Sequence, residues 1–257
     1  MIAKGRVLVT RERSSAGELL ERLRLGGFEP LAVPCLEVEA LPALRDAAAV
    51  LSRGGCWLVV TSATAVRLLV EEFARVGRDA KTVFGSLSLA AVGEKTARAL
   101  AEYAPGQSQI VVPPVSNSVA LGKLLAERLA HQPLTKLVLC RGLEADAQLP
   151  MLLAGTELSC YSIYRTGAPT LFESEIAALQ LALAVSGPPL TILVSSLAIG
   201  RNLLDQVRRH LPGAVERLLD SRVIAIGPGT ATGLRALGFT KVETAPAQSV
   251  EAMIAIL

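Results

Sequence analysis

Cys56-Trp-Leu-Val-Val60-Thr61-Ser62 runs directly into Ala63-Thr64-Ala65-Val66-Arg67-Leu68-Leu69-Val70-Glu71-Glu72-Phe73-Ala74-Arg75-Val76. The first half, Cys56–Thr61, is a short continuous apolar run, the pattern of a strand buried on both faces. The second half, from Thr64 to Val76, puts Ala65, Leu69, Phe73 and Val76 on one face of a helix. Between them, at the joint of strand and helix, stand Thr61 and Ser62. The same joint recurs 134 residues later, where a strand over Leu190–Ser195 ends in Val194-Ser195-Ser196 and a helical pattern over Ala198–His210 follows.

Working outward, the neighbourhood of the joint repeats as well. Gly93-Glu-Lys-Thr96-Ala97 closes the next strand, Leu87–Val92, 31 residues after Ser62; Gly227-Pro-Gly-Thr230-Ala231 closes Arg222–Ile226, 31 residues after Ser196. Val9-Thr10-Arg11 ends a strand over Arg6–Thr10, and Leu139-Cys140-Arg141 ends one over Lys136–Cys140. Ser118-Val119 and Ser249-Val250 each open a final amphipathic helix. Four features in the same order, twice, mark a duplicated α/β unit. Further strands are predicted at Glu29–Val33, Gln109–Val112, Leu158–Ile163 and Lys241–Thr244, and further helices at Ala16–Leu25, Asn117–Ala130, Phe172–Val185 and Ala231–Leu237. Apolar strands alternating with helices predict parallel sheets covered on both faces. About ten strands exceed the usual size of one sheet, so two doubly wound domains are expected.

Composition excludes several classes. Of 257 residues 51% are hydrophobic and 19% charged, enough for a buried core. Aromatics at 4% argue against base stacking, and a net charge of +3 is far from the basic stripe of a nucleic-acid binder. No apolar stretch reaches the roughly 18 residues of a membrane span. The opening Met1–Thr10 reads as no secretory signal, so no membrane or nucleic-acid partner and a cytoplasmic location are expected. Cys35, Cys56, Cys140 and Cys160 form no CxxC, so neither a zinc site nor a disulfide framework is expected. The two histidines, His131 and His210, follow helical patterns and read as C-terminal caps.

The repeated polar residues fall at strand C-terminal ends and helix N-termini, the edge where open parallel sheets bind ligands. Ser62, Ser196, Thr96 and Thr230 offer hydroxyls beside exposed helix amides, and Gly93 and Gly227 allow close backbone approach. Two such sets could hold a polyanion between two domains. Each residue also has a plainer reading, Ser and Thr as caps, glycines as turns, Arg11 and Arg141 as solvated loop residues. Twenty arginines against six lysines suit carboxylate recognition or reflect composition alone. No GxxxxGK[ST], GxGxxG, GxSxG or HExxH is present. One phenol stands apart: Tyr164, in Tyr161-Ser-Ile-Tyr164-Arg165-Thr166, reads either as an amphipathic surface residue or as a general acid.

As an ordered set over nearly the whole length, these segments resemble the uroporphyrinogen-III synthase family. Val7-Leu8-Val9-Thr10-Arg11 resembles its opening strand. Val60-Thr61-Ser62 with Ala65-Val66, Leu89-Ala-Ala-Val-Gly93-Glu-Lys-Thr96-Ala97 and Ile224-Ala-Ile-Gly227-Pro228-Gly-Thr230-Ala231 resemble its paired motifs. Ile163-Tyr164-Arg165-Thr166 resembles its crossover. Ser195 stands where the family more usually has Thr. The resemblance implies two flavodoxin-like α/β domains joined by a two-stranded linker, with residues 1–35 and 166–257 forming one domain, 38–163 the inserted one, and crossings near 33–38 and 158–165.

It also implies a lyase, a hydro-lyase of tetrapyrrole (haem) biosynthesis, cyclising hydroxymethylbilane to uroporphyrinogen III with inversion of ring D and loss of water. No cofactor or metal is implied. The protein would be a monomer with a small-molecule substrate and at most a transient contact with hydroxymethylbilane synthase. Tyr164 would assist departure of the hydroxyl, with Thr96 beside it in catalysis. Arg11, Ser62, Gly93, Ser118, Arg141, Ser196, Gly227 and Thr230 would bind substrate. Two other readings stay open: a bilobal binding protein for a small polyanion, and a two-domain glycosyltransferase using a nucleotide sugar.

Overall fold

A strand forms where successive side chains can all leave water, and in Arg6–Val9 (β1) residues Val7, Leu8 and Val9 are each at most 1% exposed. The computed structural model describes residues 4–104, 110–130 and 135–257. After β1 come α1 (Arg13–Leu25), β2 (Glu29–Ala32), β3 (Glu37–Ala40), α2 (Ala43–Leu51), β4 (Trp57–Val60), α3 (Ala63–Arg75), α4 (Ala80–Gly85), β5 (Ser88–Ala91) and α5 (Glu94–Ala101). Then follow α6 (Ser118–Leu129), β6 (Lys136–Gly142), α7 (Gln148–Leu152), β7 (Glu157–Gly167), α8 (Glu173–Ala182), β8 (Leu190–Val194) and α9 (Leu197–His210). The chain ends with α10 (Val215–Leu219), β9 (Arg222–Ala225), α11 (Pro228–Ala236), β10 (Lys241–Thr244) and α12 (Val250–Ile254). It divides into two compact units, Met1–Glu37 with Gly167–Leu257, and Val38–Thr166.

The first unit holds a five-stranded sheet in the order β10-β9-β8-β1-β2, parallel throughout. Side chains alternate between its faces, as the two-residue period of a strand requires. Leu8, Ile192, Val194 and Val223 meet Leu203, Leu204 and Val207 of α9 on one side. Val7, Val9, Leu193 and Ile224 meet Ala16, Leu19 and Leu23 of α1 and Met253 of α12 on the other. The winding therefore reverses between β1 and β8, which pair directly, Val9 with Leu193. That reversal is the topological switch point of a doubly wound sheet.

The second unit repeats this design with its strands in another chain order. Its sheet runs β3-β7-β6-β4-β5. Leu58, Val60, Leu89 and Val138 pack with Leu69 and Phe73 of α3 on one face. Val59, Ala90, Leu137 and Leu139 pack with Leu121 and Leu125 of α6 and Leu149 of α7 on the other. Here the switch point lies between β6 and β4, where Val60 pairs with Cys140.

The strand expected at Gln109–Val112 reduces, among the described residues, to a single bridge between Val111 and Ala90. Pro113 and Pro114 follow at once and have no amide hydrogens to extend a ladder. Gln109 itself and His131 lie outside the described residues. His210 is the last residue of α9, in its basic final turn. The sequence pattern predicts no strand at Glu37–Ala40, whose one half-buried residue is Val38. An edge strand needs no apolar run, and β3 lies at the edge of its sheet.

Candidate active site

Ser62 and Ser196 each stand two residues past a strand, β4 and β8, and cap the helix that follows. Both have extended backbones, and their Oγ atoms accept from the amides of Ala65 at 3.1 Å and Ile199 at 3.3 Å. Each therefore sits at the C-terminal edge of its sheet, beside the switch point. Arg11, two residues past β1, and Arg141, the last residue but one of β6, stand at those same two points. Among the described residues Arg11 is half-buried and has no side-chain partner. Arg141 donates from Nη1 to the Asp146 carbonyl at 2.5 Å, while its buried Nε has no partner among them. A buried guanidinium donor without an acceptor is costly, and a carboxylate is its natural complement.

The two edges differ in one respect. In the second unit the Ser62 hydroxyl lies 2.8 Å from the Tyr164 hydroxyl. Tyr164 is 9% exposed and packs with Val60, Ala65 and Cys140 in the buried layer beneath α3. Since Ser62 Oγ already accepts an amide hydrogen, its own hydrogen is free to donate to Tyr164 Oη. The phenolic proton would then point outward, with a donor placed to support the oxygen it leaves. Among the described residues Ser196 has no such partner. The structure thus brings Ser62 and Tyr164 together, though 102 positions separate them.

Thr96 and Thr230 lie in the first turns of α5 and α11, Thr96 buried and Thr230 half-buried. Among the described residues neither hydroxyl has a hydrogen-bond partner. Gly93 and Gly227 are the N-caps of those helices, with extended backbones that strain no residue. The close approach they permit is not an open face. A Cβ on Gly93 would lie 2.5 Å from Ser116 Oγ, and one on Gly227 would lie 3.2–3.4 Å from the Gln248 side chain. Those glycines admit the turn before the unit's next helix, a pairing invisible in local sequence.

Ser118 needs a correction of register. The cap of α6 is Asn117, whose Oδ1 accepts from Ala120 N at 2.8 Å; Ser118 is the first residue of the helix proper. In the other unit the cap is Ser249, accepting from Ala252 N. Asn117, not Ser118, is therefore the structural counterpart of Ser249, since Asn and Ser cap by the same chemistry.

Thiol nucleophiles are disfavoured. Burial pushes the thiols of Cys35, Cys56, Cys140 and Cys160 all above their ordinary value, so they remain protonated at neutral pH. Among the described residues no group of His, Cys, Asp or Glu is placed to hold a metal ion, and no helix is long and apolar enough to cross a membrane.

Comparison with known proteins gives a consistent result. A family model described as uroporphyrinogen-III synthase HemD matches residues 17–255. The porphyrin biosynthesis protein HemD of Ruminiclostridium josui is 29% identical over 156 residues, 60% of this chain; the match spans only 30% of that longer protein. Among solved structures, uroporphyrinogen-III synthetase from Helicobacter pylori superposes with a TM-score of 0.59 at 17% identity, covering 100% of this chain and 98% of that one. A mutant uroporphyrinogen III synthase from Thermus thermophilus does so with a TM-score of 0.57 at 22% identity, covering 98% and 96%. At these identities the structural likeness speaks for the α/β fold alone.

Proposed function

The chain belongs to the uroporphyrinogen-III synthase family, and from that premise we propose that it closes hydroxymethylbilane to uroporphyrinogen III, acting as a hydro-lyase of tetrapyrrole biosynthesis. The observation that carries the reading is the Ser62–Tyr164 contact at the switch point of the second sheet, where doubly wound folds place ligands.

Tyr164 gives its proton to the terminal hydroxyl of the substrate, and the C–O bond breaks with the pyrrole nitrogen's electron pair pushing behind it. Water leaves. The resulting azafulvene-type carbon is attacked by a pyrrole carbon of the same chain, and closure proceeds through a spiro intermediate that inverts ring D. The proton lost when the pyrrole regains aromaticity restores the phenol. Ser62, hydrogen-bonded to Tyr164, steadies the phenolic oxygen while its proton is away. Thr96 lies at the neighbouring strand end with an unengaged hydroxyl, suited to ordering the leaving group or its water. Arg11, Arg141, Ser196 and Thr230 bind carboxylates, with Gly93 and Gly227 shaping the turns beside them. Little nucleophilic machinery is needed, because the substrate supplies both electrophile and nucleophile; holding the chain for the inverted closure is the principal task.

Isomer analysis tests this. Freshly made hydroxymethylbilane is incubated with the purified protein, the products are oxidised, and type I and type III uroporphyrins are separated. Predominant type III above the spontaneous type I background is expected. Type I alone from a folded sample refutes the proposal and favours a binding protein for a polyanion.

A further inference from the structure

We propose that Gly142 is the positioning residue of Tyr164: a bulge at Arg141/Gly142 and the absence of a side chain at Gly142 together set the phenol against Ser62. This rests on the reading of Tyr164 as the acid.

The register of β6 on β7 runs Cys140 to Tyr161 and Arg141 to Ser162, then jumps to Gly142 opposite Tyr164, skipping Ile163. A regular strand sends consecutive side chains to opposite faces. Ile163 and Tyr164 are consecutive yet both belong to the buried layer beneath α3. The irregularity thus turns the phenol onto the face that carries Ser62, as bulges beside active sites do when they re-aim a side chain. Leu143 N donates to the Tyr164 carbonyl at 2.8 Å and fastens the altered register.

Gly142 then becomes the floor under the ring. A Cβ there would lie 3.0 Å from Tyr164 Cζ and 3.2 Å from both its Cε2 and its hydroxyl oxygen. Those are the three nearest atoms, all of one side chain, and Gly142 is not among the glycines with positive φ. Alanine at 142 therefore meets first the reactive end of Tyr164, with no backbone strain of its own. Ordinary van der Waals contact begins near 3.4 Å, so the ring would have to give by a few tenths of an ångström. A misplacement of about 1 Å can cost on the order of 100-fold in rate, so a few tenths should cost about 3- to 10-fold.

The test uses the full chain with Gly142→Ala, Tyr164→Phe and both. Turnover is read by the isomer assay and ring position by fluorine NMR of protein labelled with 3-fluorotyrosine. The chain has three tyrosines, and Tyr164→Phe assigns the resonance by removing it. Gly142→Ala is expected to move that resonance, to lower kcat about 3- to 10-fold with KM within about twofold, and to add nothing in the Tyr164→Phe background. An unmoved resonance overturns the proposal, as does an equal loss in both backgrounds, which would make Gly142 a residue of the fold only. Wild-type turnover by Tyr164→Phe removes the acid assignment alone, while the resonance still decides whether Gly142 sets the ring. Should Gly142→Ala fail to fold, Gly142→Ala with Tyr164→Leu removes the obstructing atoms; recovery of folding supports the contact, and continued unfolding refutes it.

Discussion

Ser62→Ala and Ser196→Ala delete equivalent capping hydroxyls, yet their costs should differ. Loss of a serine N-cap is worth about 1 kcal/mol. Ser196→Ala loses only that, the 3.3 Å bond from the Ile199 amide. Ser62→Ala loses the 3.1 Å bond from Ala65 and also strips Tyr164, a buried residue, of its 2.8 Å partner. An unsatisfied buried hydroxyl adds about 1–3 kcal/mol. The expected totals are therefore roughly 2–4 kcal/mol for Ser62→Ala against about 1 kcal/mol for Ser196→Ala. At about 4 °C per kcal/mol for a unit of this size, the thermal midpoints should fall by roughly 8–16 °C and about 4 °C respectively. The assay is thermal and urea unfolding of wild type, Ser62→Ala, Tyr164→Phe, the double variant and Ser196→Ala, followed by circular dichroism. The cycle on Ser62 and Tyr164 should return a coupling of about 1–3 kcal/mol. Equal losses for the two serines together with a coupling near zero would refute the contact as an energetic unit, and Tyr164 would then lose its claim to a fixed proton geometry.

Two further outcomes follow from contacts in each unit. Gly93→Ala drives a methyl to 2.5 Å from Ser116 Oγ and 2.8 Å from its Cβ, so a loss of about 1–3 kcal/mol is expected, reversed by adding Ser116→Gly; calorimetry of both variants checks it. Glu175 accepts from Arg13 at 2.7 and 2.8 Å and from the Phe172 amide at 2.8 Å, and the Arg13 guanidinium holds its carboxyl below the usual value. A depressed carboxylate contributes stability above its ordinary value that disappears as pH falls through the folded one. Glu175→Gln should therefore destabilise at pH 7 and converge on wild type in acid; urea midpoints that stay apart in acid would contradict this.

The parts of the molecule legible in sequence are those that local physics determines. Val59 and Val60 of β4, Ile192 and Leu193 of β8, and the Ser62 and Ser196 caps all declare themselves, because a buried strand must be apolar throughout and a helix start needs an acceptor. Short-range chemistry fails where two residues are interchangeable. Asn117 reads as one more residue of the α6 pattern, while its neighbour Ser118, aligned with Ser249, resembles the cap. It fails again where the partner is distant. Gly93 shows that a side chain is unwelcome without naming Ser116, and nothing near Tyr164 in sequence points to Ser62 or to the bare Cα of Gly142.

What separates the two units is more instructive than what they share. The strand pairs at the two switch points correspond, Thr10 and Arg11 with Cys140 and Arg141, Ser196 with Ser62. Duplication alone would make them equal. Yet the β1–β2 ladder stops at Val9 with Ala32, while the β6–β7 ladder runs on past the equivalent Leu139 and shifts its register at Gly142. The break costs ladder regularity, and beside it Arg141 Nε is buried without an acceptor among the described residues. Both lie at the strand end that holds Tyr164 against Ser62. The two units therefore differ at their switch points: in the second a register shift, a phenol held against its serine and a buried guanidinium Nε without an acceptor among the described residues come together at one strand end.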